Sequence, residues 1–73
     1  MKNPNKSGRY VVLSEYGYIG TVNYSKKYDL WSSYDFFETR EKAEKNAIYN
    51  IVGWIEEEKF IEFIKENGGQ NAK

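Results

Sequence analysis

The chain contains no cysteine and no histidine among its 73 residues. Disulfide bonds, thiol nucleophiles, zinc sites built from these side chains and imidazole acid–base catalysis are therefore excluded. The apolar runs are short, whereas a membrane-spanning helix needs about 20 apolar residues. The segment Met1–Gly8 has no apolar stretch typical of a secretory signal. We therefore expect a cytoplasmic protein that has no membrane span, no metal and no cofactor.

An excess of charge of either sign is also missing, since 11 basic and 11 acidic residues give a formal net charge of zero. The distribution is nevertheless uneven along the chain. Residues 1–27 carry a surplus of basic side chains, and residues 28–73 carry a matching surplus of acidic ones. The sequence pI of about 6.3 lies well below the basic range typical of nucleic-acid-binding domains. Local electrostatic fields can still be strong on a protein whose total charge is zero.

The composition is that of a small folded domain, with 40% apolar and 18% aromatic residues. A chain of this length buries only about 60% of its unfolded surface, so the core must be thin. Glycine and polar residues dominate both ends. We therefore predict a flexible arm over residues 1–8, a single α+β domain over 9–67 and a flexible tail over 68–73.

β-Branched and aromatic residues in the first half of the chain predict a small antiparallel sheet. Residues 9–14 and 18–24 read as two strands, and Gly17 between them supplies the backbone freedom that a tight hairpin turn needs. Residues 31–37 alternate in polarity and are a weaker candidate for a third strand. The sequence therefore predicts two to three strands at about 9–14, 18–24 and 31–37.

Helical periodicity dominates the second half of the chain. Thr39 is a suitable N-cap, and apolar residues then recur at every fourth position. A single helix over 40–67 would be about 42 Å long, whereas a compact domain of this length is only about 28 Å across. A break near Gly53 resolves the conflict, so we predict two helices, 40–53 and 56–67, on one face of the sheet. The residues of the periodic stripe are Ala43, Ala47, Ile51 and Ile55.

Three segments together carry a family resemblance. They are the strand residues Tyr10–Leu13, the turn Gly17–Ile19 and the run from Phe37 to Lys45, which reads F-x-T-x-E-x-A-E at the start of a helix. This order is similar to that of small uncharacterised phage and prophage proteins, over about half the chain, from Tyr10 to Ile48. The resemblance implies a two-layer α+β module from a mobile genetic element, and it carries over no catalytic residue.

Aromatic residues are concentrated in the predicted sheet, since nine of the thirteen lie between Tyr10 and Phe37. A thin sheet cannot bury all of them, and exposed tyrosines suit protein-binding surfaces because they offer large area at a low cost in entropy. Cross-strand aromatic pairs that simply cover the sheet are the alternative. The predicted binding residues are Tyr16, Tyr18, Tyr24, Lys26, Lys27, Tyr28, Trp31 and Tyr34.

Two charged patterns suggest further readings. Lys26 and Lys27 stand between tyrosines, as in grooves that bind single-stranded nucleic acid by stacking and phosphate pairing. Glu58, Glu62 and Glu66 recur at helical spacing and form an acidic face. It is a solvated helix surface, a mimic of a phosphate backbone or, if further ligands converge on it, a site for a hard cation. Serine residues have no histidine base beside them, so we do not expect an enzyme.

These observations predict a small non-enzymatic binding protein of a phage or mobile element. It would engage and inhibit a host protein of defence or replication through the tyrosine-rich face of its sheet. The alternatives are a module that binds single-stranded nucleic acid and an oligomer that binds a small nucleotide-like ligand. A homodimer or higher oligomer is also expected, because the core is thin and apolar residues go nearly round the last helix. Those helix residues are Phe60, Ile61, Phe63 and Ile64.

Overall fold

The computed structural model describes residues 1–33 and 39–68. They form an α+β fold with a four-stranded antiparallel sheet in the order β3-β2-β1-β4 and two helices. In chain order the elements are β1 Gly8–Ser14, β2 Ile19–Ser25, β3 Leu30–Ser32, α1 Arg40–Lys45, β4 Ile51–Glu56 and α2 Glu57–Asn67.

The predicted hairpin between β1 and β2 is confirmed to within one residue at each boundary. The two strands pair antiparallel from Gly8 opposite Tyr24 to Leu13 opposite Ile19. Gly17 has a φ of +87° in the connecting turn, a conformation that favours glycine. The third predicted strand, 31–37, is present as the short strand β3, and its predicted residues 34–37 lie outside the described part of the chain.

The predicted helix 40–53 is wrong beyond Lys45, because α1 ends there and residues 51–56 form a fourth strand. Ala47 bridges to Ser32, and the Ile48 amide donates to the Trp31 carbonyl at 2.8 Å, so the chain leaves α1 to join the sheet. β4 then pairs antiparallel with β1. Its isoleucine, valine and tryptophan residues are typical of strands. Pairing with β1 therefore determines the structure here, although the apolar residues recur at every fourth position as in a helix.

Two other helix predictions, the N-cap of the first helix and the position of the second, are confirmed. Thr39 is the N-cap of α1, and its hydroxyl accepts a hydrogen bond from the Lys42 amide at 3.1 Å. The predicted helix 56–67 is confirmed as α2. The two helices contact different strands, since α1 packs on the edge strand β3, whereas α2 contacts β1 and β4.

Alternation along the strands gives the sheet two different faces. The inner face carries a buried cluster of Tyr10, Val12, Val22, Tyr24 and Trp31, to which Ile51 is added from β4. The residues between them belong to the outer face. Its members on β1, β2 and β4 are Arg9, Val11, Leu13, Ile19 and Ile55.

Residues 1–7 lie across the inner face, where the sequence predicted a flexible arm. The Trp54 indole N–H donates to the Lys2 carbonyl at 2.7 Å. The Trp31 indole N–H donates to the Asn3 side chain at 3.2 Å, and the Tyr10 hydroxyl donates to the Lys6 carbonyl at 2.8 Å. The segment therefore closes the core and satisfies three polar groups that the aromatic side chains bring with them.

The molecule is elongated, with principal extents of 46 × 23 × 21 Å and a radius of gyration of 13.7 Å. A compact domain of this length has a radius of gyration of about 11 Å. No residue of α2 is buried, so this helix makes little contact with the rest of the protein. Neither described helix has the length and apolar character to cross a membrane. Of the predicted tail, Gly68 follows α2, and residues 69–73 lie outside the description.

Candidate functional site

Tyr24 and Trp31, two of the predicted binding residues, belong to the core. Each is only 5% exposed, and their ring centroids lie 4.9 Å apart. Tyr10 packs against Trp31 edge to face at 5.7 Å and against Trp54 at 5.2 Å. Large aromatic rings fill the inner face because so small a sheet has few other side chains to bury. A partner therefore has no access to Tyr24 or Trp31 in this conformation.

A polar network fixes Tyr24 to the turn between β2 and β3. Its hydroxyl donates a hydrogen bond to the Asp29 carboxylate, to which the Asn3 side-chain amide also donates at 2.9 Å. Burial, together with this bond, raises the pKa of Tyr24 to about 12. The hydrogen bonds from Tyr24 and Asn3 lower the pKa of Asp29. The contacts that hold the N-terminal segment on the sheet thus account for the pKa shifts of both Tyr24 and Asp29.

Lys26, Lys27 and Tyr28 lie in that same turn. The Lys27 ammonium stands 5.3 Å from the centre of the Tyr28 ring, and the guanidinium of Arg40 approaches the ring at 5.8 Å. Arg40 also pairs with Glu44 at 2.9 Å. The cations and the ring thus stabilise one another through cation–π contacts.

Tyr16 and Tyr18 lie in the turn between β1 and β2, with 70% and 75% of their surface exposed. The Ser14 hydroxyl oxygen accepts from both backbone amides, at 3.2 Å from Tyr16 and 3.1 Å from Tyr18. The turn backbone is therefore held by local bonds while both rings project into solvent. The remaining predicted tyrosine, Tyr34, lies outside the described residues.

The predicted binding residues do not form a single surface. The turn with Tyr16 and Tyr18 precedes β2, and the turn with Lys26 and Lys27 follows it. A strand of seven residues, as β2 is, separates its two ends by about 20 Å. The structure thus brings together the two exposed tyrosines, and it leaves the basic residues at the opposite end of the sheet.

The acidic face of α2 is present as predicted by its spacing, with Glu58, Glu62 and Glu66 all exposed. Glu57, one residue before this row, instead forms an ion pair with Arg9 of the outer face at 3.4 Å. Within residues 1–33 and 39–68, no three acidic side chains converge as a metal site would require.

The sequence reasoning missed an apolar cleft on the outer face. It has a volume of about 260 Å³ and is open to solvent. Ile19 on its rim is 65% exposed, Leu13 is 41% exposed and Ile55 is 37% exposed. The apolar run in β1, which places apolar residues on both faces of the strand, could have indicated apolar surface on the outer face. Its location could be recognised only once β4 was known to pair with β1. The lining residues are Val11, Val12, Leu13, Ile19, Gly53, Trp54, Ile55 and Phe60.

α2 extends this apolar surface. Phe60 lines the cleft, whereas Ile61, Phe63 and Ile64 remain 46%, 59% and 45% exposed. At roughly 150 Å² for a large side chain, the exposed fractions of these three residues and of Leu13, Ile19 and Ile55 amount to about 440 Å², which is within the range of the largest apolar patch on a typical monomer. We call these residues the outer patch: Leu13, Ile19, Ile55, Ile61, Phe63 and Ile64.

Comparison with known protein families, with curated proteins and with solved structures finds no match to this chain.

Proposed function

We propose that this protein is a non-enzymatic binding protein that recognises another protein through the turn between β1 and β2. The observation that carries the proposal is the exposure of Tyr16 and Tyr18, at 70% and 75%, on a turn whose backbone is fixed by Ser14. Ile19, which is 65% exposed, continues this surface on β2.

Tyrosines on a fixed turn suit recognition for two reasons. Each ring offers a large apolar area and a hydroxyl group, and only two side-chain torsions have to be ordered on binding. A backbone that is already held by hydrogen bonds loses little further entropy when a partner docks. Two adjacent tyrosines therefore provide the aromatic anchors that dominate many protein interfaces.

The separation of tyrosines from lysines favours a protein partner over single-stranded nucleic acid. A nucleic-acid groove needs stacking rings and phosphate-binding cations side by side. Here Tyr16 and Tyr18 lie at the opposite end of β2 from Lys26 and Lys27, and Lys27 is already engaged with a ring.

The resemblance to small phage and prophage proteins suggests the setting. We propose that the partner is a host protein of defence or replication, that binding inhibits it, and that both meet in the host cytoplasm. This part of the proposal depends on the resemblance between Tyr10 and Ile48 and on no contact in the fold.

Affinity capture from a lysate of the natural host tests the proposal, with the bound partner identified by mass. The wild-type protein should retain a protein that the double variant Y16A/Y18A loses. The matched control K26A/K27A should retain it too, with little change between about 50 and 200 mM salt, because no phosphate contacts are involved. Capture of only RNA or DNA, abolished in K26A/K27A and by salt, would refute the proposal.

A further inference from the structure

The inner face of the sheet carries three aromatic side chains that each have a hydrogen-bond donor. The Tyr10 ring lies edge to face against the Trp31 and Trp54 rings, at centroid distances of 5.7 and 5.2 Å. The tyrosine hydroxyl and both indole N–H groups donate to residues 1–7. We call these three side chains the aromatic cradle. Rings that offer apolar area together with a polar donor are suited to holding a peptide.

The aromatic cradle holds the N-terminal segment on both sides of Pro4. Its two indole N–H groups donate to the Lys2 carbonyl at 2.7 Å and to the Asn3 side chain at 3.2 Å, and its hydroxyl donates to the Lys6 carbonyl at 2.8 Å. Pro4 itself is buried. Several peptide-binding domains take proline-containing peptides in aromatic-lined grooves, because such peptides are already extended and lose little entropy on binding. The contacts of the segment therefore have the chemistry of proline-peptide recognition.

The N-terminal segment is held mainly by polar contacts. The structure describes all of residues 1–7, and among them Pro4 is buried, Asn3 is partly buried and the others are exposed. Segments with little burial open locally at a smaller cost in free energy than the unfolding of the whole domain. Residues 1–7 can therefore leave the aromatic cradle while the strands that carry it stay paired.

The bonds to the segment indicate which peptide the aromatic cradle selects. The bonds to Lys2 and Lys6 are made to backbone carbonyls, so they tolerate any side chain at those two positions. The Asn3 side chain instead accepts from an indole N–H and donates to the Asp29 carboxylate at 2.9 Å. A side-chain amide provides both an acceptor and a donor, which a carboxylate or an apolar side chain does not. Asparagine followed by a buried proline is therefore the pattern that reproduces these contacts.

A cleft of about 310 Å³ borders the aromatic cradle beside Asn3. Trp31 of the cradle and Ile48 line it, together with Tyr49, whose side chain is 76% exposed. Asp29, which binds the Asn3 amide, also lines this cleft. The segment thus leaves apolar surface uncovered next to the position where its asparagine is bound. A peptide with an apolar side chain at this point would bury that surface.

We propose that the aromatic cradle binds a peptide segment of another protein in which asparagine is followed by proline, and that residues 1–7 occupy it as a competitor within the chain. The partner's segment binds when residues 1–7 leave. Its apparent affinity therefore falls below the intrinsic affinity by the fraction of molecules in which the cradle is open. The site involves neither Tyr16 nor Tyr18, so this inference goes beyond the proposed function and does not depend on it.

Fluorescence anisotropy of a labelled peptide tests the proposal. The probe is a synthetic peptide with the sequence of residues 1–7, labelled at its C-terminus, and it is titrated with the full chain. P4A removes two buried CH₂ groups from the segment and leaves the three rings of the cradle in place. We expect P4A to bind the probe about tenfold more tightly than the wild type, because a larger fraction of P4A has an open cradle. If P4A alone does not fold, the unlabelled peptide should restore its circular dichroism spectrum, since a ligand of the folded state stabilises it.

Two controls locate the probe in the aromatic cradle. A second probe, with alanine in place of the proline, should bind P4A about tenfold more weakly than the first, because the same two CH₂ groups are lost. Y10F added to P4A removes one donor and should weaken binding of the first probe roughly 2–10-fold. Y18F is the matched control, since it removes a hydroxyl group from an exposed residue of the turn between β1 and β2, and it should leave the affinity unchanged.

Three results would overturn the proposal: no saturable binding of the probe to P4A, equal affinities of P4A and the wild type, or equal binding of the two probes by P4A. An unfolded P4A that the peptide does not restore would overturn it as well. Y16A/Y18A should bind the probe as the wild type does. Failure of the probe with lysate capture through the turn intact would therefore count against the aromatic cradle alone, and the reverse result would count against the proposed function alone.

Discussion

Asp29 joins three parts of the fold through one carboxylate. It accepts from the Tyr24 hydroxyl on β2 and from the Asn3 side chain of the N-terminal segment, and it occupies a left-handed conformation with a φ of +54°. Aspartate and asparagine are the non-glycine residues that tolerate this conformation best. A charged acceptor at this point also strengthens both hydrogen bonds.

The lowered pKa of Asp29 makes the stability of the fold sensitive to acid. A group with a depressed pKa in the folded state stabilises the fold above its unfolded pKa of about 3.9, and that contribution is lost as the pH falls through the folded pKa. D29N should therefore lower the free energy of unfolding at pH 7 and weaken its decline below about pH 4. Urea titrations across this range measure both effects.

Glu15→Gln is the control for this prediction, because it removes an exposed carboxylate from the other turn of the sheet. It should leave the acid dependence as in the wild type. An acid dependence unchanged in D29N would show that the network does not act through the charge of Asp29.

The raised pKa of Tyr24 makes the stability of the fold sensitive to alkaline pH. Its pKa is raised to about 12, so its contribution is fully present below the unfolded pKa of about 10 and is lost as the pH rises through 12. Y24F should lower the free energy of unfolding at pH 7 by about 1 kcal/mol through the lost hydrogen bond. It should also flatten the decline of stability above pH about 10, which alkaline unfolding titrations follow; a decline equal to the wild type would contradict this.

Among the elements, the N-terminal segment contributes more than its composition suggests. It supplies acceptors to the indole N–H groups of Trp31 and Trp54 and covers the inner face. Proline, asparagine and lysine are typical of a mobile terminus, and only the partners on the sheet reveal why this one is ordered. The sequence alone could not identify those partners, since they lie 28 and 52 residues away.

Asn3→Ala tests the importance of this segment. The substitution leaves the Trp31 N–H without its acceptor and removes one donor to Asp29, so the free energy of unfolding should fall by about 1–3 kcal/mol. Asn5→Ala changes an exposed residue two positions along, and its effect should stay within about 0.5 kcal/mol. Thermal unfolding followed by circular dichroism compares the two, and equal losses would contradict the role given to Asn3.

The elements that could be predicted were those specified by local signals. Gly17 between two β-branched runs predicted the hairpin, and Thr39 predicted the start of α1. β4 could not be predicted in this way, because the spacing of Ala43, Ala47 and Ile51 imitates a helix and the decisive partner, β1, is distant in sequence. Tertiary pairing here overrides a local periodic pattern.

At the scale of the whole molecule, the candidate site was predicted only in part. Tyr16 and Tyr18 are exposed as a binding surface requires, whereas Tyr24 and Trp31 fill the core. Residue type alone could not tell the exposed pair from the buried pair. β1 carries apolar residues on both faces, and a shift of one residue in the strand register exchanges the two faces. The excess of aromatic residues was therefore partly core and partly surface.

The exposed turn of Tyr16 and Tyr18 leads to the central claim, which is the proposal that this protein binds another protein through that turn. Affinity capture from a lysate of the natural host tests it most directly. The wild-type protein and K26A/K27A should retain the same partner, whereas Y16A/Y18A should lose it. Equal retention by Y16A/Y18A, or capture of only nucleic acid, would contradict the account.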